Sequence, residues 1–310
     1  MDIAALKKEA KNKKTSSVRL EELARNPDPG VLVAVAGNPN TPASALEYLA
    51  GHGKFTILKA VAKNPNTPAT VLERLARHKQ DTVRQAVAVA PALTEGIALE
   101  LLRDPDTQVR YQVVMHCARR VWNTDAVFAL AAHDLNPLVR LAVTEACRDT
   151  RTLETMLDDE SESIALGALS NPGLALQPLN DHLEPKFAAL NTSQYWLNAS
   201  NIVQRRDLSA AWLERFAAHP NATVRLWVAK NPNTPRATLL QLAADEDWGV
   251  LTATALLHDL PEAIYWGYAR HHQAFVRLAL VQNTALSTEI LEFLAQDKDA
   301  DIARRAKVRL

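Results

Sequence analysis

Five arginines are the first residues of this 310-residue chain whose spacing could do chemistry. Arg84, Arg110, Arg140, Arg225 and Arg277 each follow a valine, and Arg84 and Arg110 stand 26 residues apart. Repetition at one structural position would set the guanidiniums in a row. Such a row can track a phosphate backbone, or it can tie neighbouring segments through Asp, Asn or carbonyl groups. A second candidate is Tyr265-Trp266-Gly267-Tyr268-Ala269-Arg270-His271-His272, with stacking surface, a cation and two imidazoles. It could hold a stacked or polar ligand. It suits a metal poorly, because adjacent histidines point in different directions on a helix. The plainer reading is a helix end whose cations meet the C-terminal dipole. Tryptophan is also unevenly placed: Trp196, Trp212, Trp227, Trp248 and Trp266 all lie in the C-terminal part. Trp227 stands where other segments carry Ala86, Ala142 and Ala279. An aromatic in a small-residue position either fills a void or forms a binding anchor. The candidate partner-binding residues are therefore Trp196, Trp227, Trp248, Tyr265, Trp266, Arg270 and His271.

No catalytic residue and no metal site is assigned. The nine glycines are scattered, so no Gly-rich phosphate loop forms, and no G-x-S-x-G or H-E-x-x-H motif occurs. His116 and Cys117 are adjacent and do not face each other on a helix. Lys+Arg and Asp+Glu both number 35, which leaves no global charge to favour nucleic acid or membrane. Two cysteines, Cys117 and Cys147, cannot build a disulfide framework, and a reducing, cytoplasmic compartment is the expectation. No apolar run approaches the roughly 18 residues of a membrane span, and no secretory signal pattern opens the chain.

The elements that would position these residues follow from a recurring pentapeptide. Asn-Pro-Asn-Thr-Pro occurs at Asn38–Pro42, Asn64–Pro68 and Asn231–Pro235. Recurrence at a fixed period marks a repeat array. Val83, Ala86, Val87 and Ala90 have helical spacing ahead of one such turn. Asn-Pro should end that helix, because the residue before proline leaves the helical region. Thr41-Pro42 should restart one, with Thr as N-cap and Pro in the first turn. About eleven units of ~26 residues then cover the chain. Each helix has only two or three turns and would be marginal alone, so neighbours must stack. The reading is a single array over 1–310. It has a regular half at 1–164, an irregular segment at 165–204 and C-terminal repeats at 205–310. In the irregular segment an extra short loop is expected, or else a break between two superhelical halves.

The Val-Arg pair, the Asn-Pro turn and the Thr-Pro-x-x-x-Leu-x-x-Leu-Ala stretch of Thr67–Ala76 resemble the leucine-rich repeat variant family, within the HEAT-like α-solenoids. The resemblance implies an all-α, right-handed α-solenoid of short two-helix repeats, some helices being 3₁₀. It also implies a structural role for the arginine ladder. One type of member carries an N-terminal cysteine cluster for an iron–sulfur centre. This chain has no cysteine before Cys117, so no iron–sulfur cluster and no other cofactor is expected. The function expected is a non-enzymatic scaffold that binds a protein partner on its concave or aromatic-rich C-terminal surface. The alternative is nucleic-acid binding, or base excision as in HEAT-like DNA glycosylases. The neutral charge and the lack of a recognisable Trp–Asp–Arg constellation weigh against it.

Overall fold

A computed structural model describes residues 2–119 and 124–310, all of whose regular elements are α-helices. The backbone separates into two compact units, Met1–Ile164 and Ala165–Leu310. The first holds α1 (Ile3–Lys11), α2 (Ser17–Leu23), α3 (Pro29–Ala36), α4 (Ala43–Leu49), α5 (Phe55–Ala62), α6 (Ala69–Ala76), α7 (Asp81–Ala88), α8 (Glu95–Leu101), α9 (Thr107–Cys117), α10 (Asp125–Ala131), α11 (Pro137–Ala146) and α12 (Thr150–Glu154). Helix α13 (Glu162–Leu169) straddles the division. The second unit continues with α14 (Leu176–Leu190), α15 (Trp196–Val203), α16 (Ala210–Phe216), α17 (Ala222–Lys230), α18 (Arg236–Leu242), α19 (Trp248–Ala255), α20 (Glu262–Ala269), α21 (Ala274–Leu280), α22 (Thr288–Leu294) and α23 (Ala300–Arg309).

Within each unit the helices form two layers. Odd-numbered helices pack side by side, as in α5 on α7 on α9 and in α17 on α19 on α21. We call these the A layer. Even-numbered helices form the B layer, as in α6 on α8 and α20 on α22. Leu46, Leu49, Leu72 and Leu75 of the B helices and Ile57, Val61, Val83 and Val87 of the A helices are buried. Each amphipathic helix is too short to persist alone and gains its stability from this burial. The expected 3₁₀ helices do not occur among the described residues. Three-residue hydrogen bonds appear at helix ends, as from the Asn64 amide to the Val61 carbonyl at 3.0 Å, and in the turns, as from the Thr67 amide to the Asn64 carbonyl at 3.2 Å.

The pentapeptide does more than stop and restart helices. The Asn64 side-chain amide donates to the Ala36 and Asn38 carbonyls, both at 2.7 Å. Its Oδ1 accepts the Asn66 amide at 2.9 Å. Ala36 is the last residue of α3, so Asn64 serves a carbonyl that a helix end leaves orphaned. Asn38 does the same for Ala10 and Asn12, Asn231 for Val203 and Arg205, and Asn283 for Ala255 and Leu257. Every bond donated by these side-chain amides runs to the preceding repeat. The expected Thr caps are corrected. Pro42, Pro68 and Pro235 occupy the N-cap positions and make no side-chain cap bond. The Thr41, Thr67 and Thr234 hydroxyls turn back and donate to Val35, Val61 and Val228 at 2.5 Å. These buried hydroxyls add a second hydrogen bond to a carbonyl at the end of their own A helix, which already accepts the amide three residues on.

The extra length in the irregular segment is also not a loop. It resides in α14, a 15-residue helix with Pro185 inside it. Leu179, Leu183 and Leu190 give α14 a buried face. The proline-rich sequence hid that helix.

Candidate partner-binding surface

The five arginines make one recurring contact. Arg277 sends Nε and Nη2 to the two carboxylate oxygens of Asp297, at 2.6 and 3.0 Å. Its Nη1 donates to the His271 carbonyl at 2.8 Å. Arg84 pairs in this way with Asp104, Arg110 with Asp134, Arg140 with Asp159 and Arg225 with Asp245. Each aspartate belongs to the loop before the next A helix, so every pair crosses one repeat boundary. The aspartate also accepts the amide two residues on, as Asp297 does from Asp299 at 2.8 Å. Burial would raise the Asp297 carboxyl, but the Arg277 fork outweighs it and holds that carboxyl below the ordinary carboxylate range. Guanidiniums spent on buried carboxylates do not present a row of charges to phosphate.

The position of these aspartates has a rule of its own. Where the preceding A helix carries Leu32, Leu58, Ala199 or Leu251 in place of arginine, the loop position holds His52, His78, His219 or His271. Each histidine accepts the same backbone amide through Nδ1, from Lys54, Gln80, Asn221 and Gln273 at 2.9–3.2 Å. An unpaired carboxylate would be costly there, and a neutral imidazole supplies the acceptor without the charge. No single repeat shows these partners in its sequence. The signal was this internal covariation between an A helix and the loop one repeat later.

His219 shows the consequence. It is fully buried, with Nε2 on the Leu190 carbonyl at 2.9 Å and Nδ1 occupied by the Asn221 amide. Burial, with Arg225 adding repulsion, lowers its affinity for a proton. The unfolded chain takes up that proton below about pH 6.5 while the folded chain resists. Stability should therefore be level above that pH and fall as pH drops below it. The urea midpoint should drop between pH 7.5 and 5.5. His219→Asn, which keeps an acceptor but does not titrate, should drop less. Equal drops would remove His219 as the cause.

The aromatic candidates fall on different layers. Tyr265 is a correction: it is 5% exposed, and its hydroxyl donates to the Leu257 carbonyl at 2.6 Å and accepts the Leu260 amide. It stands where other B helices carry Leu46 and Leu72, which are core positions. Tyr268 is buried too, held by Thr254 and Ala243, and burial pushes its phenol up to about 12. Trp266 lies on the B layer, edge-on to Phe293 with centroids 5.6 Å apart and under the Arg270 guanidinium at 4.8 Å. Trp212 is held similarly, with Arg215 over it at 4.4 Å and over Phe187 at 3.9 Å. His271 and His272 lie ring to ring at 4.5 Å. Burial, with His272 and Arg277 beside it, disfavours protonation of His271.

The A layer carries the remainder. Trp248 opens α19 and contacts Phe275 of α21 at 5.3 Å between centroids. The two residues are 50% and 60% exposed. Trp227 is half-buried on α17, with Lys230 over its ring at 5.1 Å. Since α17, α19 and α21 pack side by side, Trp227, Leu256, Phe275 and Leu278 lie on the solvent-side stripe of three adjacent helices. Phe275 was missed by sequence reading. Its equivalents in the first unit are Thr56, Thr82, Gln108 and Leu138. Trp196 begins α15 and is 36% exposed. Among the described residues no group of three or more His, Cys, Asp or Glu could hold a metal ion. No described helix is long and apolar enough to cross a membrane.

Comparison with known proteins agrees with the repeat assignment. The family described as leucine rich repeat variant matches residues 222–247, the segment of α17 and α18. No curated protein matches the chain in sequence. Among solved structures, it is similar to a leucine-rich repeat variant with a novel repetitive structural motif, at 20% identity over 93% of this chain and 88% of that one, with TM-score 0.41. It is also similar to a designed armadillo repeat protein, at 14% identity over 95% and 98%, with TM-score 0.18. A third is a computationally designed armadillo repeat protein for modular peptide recognition, at 15% identity over 99% and 90%, with TM-score 0.12.

Proposed function

We propose, for a chain that carries the leucine rich repeat variant unit, that it is a scaffold whose second unit binds a protein segment on its A layer. The carrying observation is the exposed Trp248–Phe275 pair, continued by Trp227, Leu256 and Leu278 on packed neighbouring helices. Aromatic side chains on a rigid surface are the usual anchors of protein recognition. Phe275 replaces residues that are mostly polar in the first unit, and Trp227 replaces alanines such as Ala86 and Ala142, so core packing does not require either ring. The ligand this surface suits is an extended segment with apolar side chains, lying across α17, α19 and α21. Nucleic acid fits less well, because the arginine ladder is neutralised by aspartate.

The test is selection from a displayed random-peptide library. Wild type should enrich peptides with recurring apolar side chains. Phe275→Ala and Trp227→Ala should each weaken a selected peptide about tenfold or more, the effect of losing a hot-spot aromatic. Trp212→Ala, on the B layer, should leave it unchanged. Selected peptides indifferent to Phe275 and Trp227 would overturn the reading.

A further inference from the structure

A cleft of about 510 Å³ opens where the second unit's last two B helices meet the following loops. Arg270, His271, His272, Lys298 and Phe293 line it, with the Arg277–Asp297 pair at its side. Equivalent clefts occur in the first unit, at Arg77 and at Arg103. The three differ in how the arginine at this position is satisfied. Arg77 grips Glu100 of the next repeat through Nε and Nη2, at 2.6 and 2.9 Å. Arg103 has Leu130 at the matching position and turns to the Leu99 carbonyl of its own helix at 3.1 Å. Arg270 has Phe293 where Arg77 has Glu100. Among the described residues no carboxylate pairs with Arg270.

The guanidinium is nevertheless held in place. It lies over Trp266 at 4.8 Å and over Phe293 at 5.9 Å, a stacking that orients the plane and leaves the N–H edges open. Arg25 over Tyr48 is a looser version, at 6.0 Å, but no lysine or histidine occupies the loop positions that bring Lys298 and His272 to the Arg270 cleft. The Arg270 cleft thus combines a fixed guanidinium fork, an ammonium group and two imidazoles with an aromatic wall.

We propose that this cleft receives a carboxylate from an acidic peptide segment, which takes the place that Glu100 fills beside Arg77. The internal precedent favours carboxylate: the same arginine position, one unit earlier, already binds one bidentately. The proposal rests on the reading that the second unit receives a protein segment. It adds an acidic side chain to that segment's chemistry, because the His271–His272 loop leads directly into Phe275.

The probe is a fluorescein-labelled hexaglutamate peptide, followed by anisotropy at low salt on the full chain, with inorganic phosphate as competitor. Wild type should bind it, and binding should weaken as salt rises. Arg270→Gln and Lys298→Gln should each weaken it about tenfold. Phe293→Glu is the most informative variant. It should supply the missing carboxylate in cis, reproduce the Arg77–Glu100 pair and abolish binding. Phe293 is 43% exposed, so the exchange does not disturb the core, and circular dichroism should confirm an unchanged fold. Trp227→Ala should leave hexaglutamate binding intact, so failure of the A-layer reading and failure of this one are distinguishable. Unchanged binding in Arg270→Gln, or in Phe293→Glu, would overturn the proposal. Displacement by millimolar phosphate at equal ionic strength would overturn the carboxylate assignment in favour of a phosphate site.

Discussion

Replacing Asn64 with alanine should cost the chain about 3 kcal/mol or more of stability, a large loss for a surface-turn residue by type. The side chain is 2% exposed and makes three hydrogen bonds. Removing it strands the Ala36 carbonyl and the Asn66 amide, and leaves the Asn38 carbonyl with the Thr41 amide alone. The penalty for each unsatisfied buried group is about 1–3 kcal/mol. Asn66→Ala should cost about 1 kcal/mol, because its bonds to Pro39 and Thr41 are largely exposed to water. Urea unfolding of the two variants checks the order. Equal losses would mean that the ladder between repeats is not where the pentapeptide acts. Hydrogen exchange should place the Asn64→Ala opening at the boundary between α3 and α5, since the lost bonds join those repeats.

The second large effect is a non-additive one. Arg277→Leu and Asp297→His should each destabilise the chain by about 3–5 kcal/mol, because each leaves the other's charge buried without its partner. The pair is bidentate and both side chains are 5% exposed. The double variant recreates the Leu251 and His271 combination found one repeat earlier. It should therefore be more stable than either single variant, with a coupling of about 2 kcal/mol or more in a double-mutant cycle. Additive losses would contradict the interchange of Arg–Asp with Leu–His.

Much of this architecture was legible from residue spacing. The period of the Asn-Pro-Asn-Thr-Pro turn and the Val-Arg register marked the repeats and placed Arg84, Arg110, Arg140, Arg225 and Arg277 at equivalent positions. What was not legible was the direction in which polar side chains reach. Thr41 looks like a cap for the helix that follows it, yet its hydroxyl serves the helix before it. The hydroxyl donates to the buried carbonyl of Val35, and Pro42 takes the N-cap position in its place. The candidate surface was less legible still. Tyr265 and Trp266 are neighbours in sequence, but one replaces a core leucine and the other a solvent-facing glutamate such as Glu47 or Glu73. Aligning the B helices would have separated them. Phe275 escaped notice because a single phenylalanine carries no motif. Its meaning comes from Trp248 on the adjacent helix.

If the A layer of the second unit is the partner surface, tryptophan indole N–H signals report on it directly. A selected peptide should be titrated into ¹⁵N-labelled protein, with each indole assigned by Trp→Phe substitution. The signals of Trp227 and Trp248 should shift on binding, while that of Trp212, under Arg215 on the B layer, stays in place. A shift at Trp212 with Trp227 and Trp248 unmoved would contradict the claim.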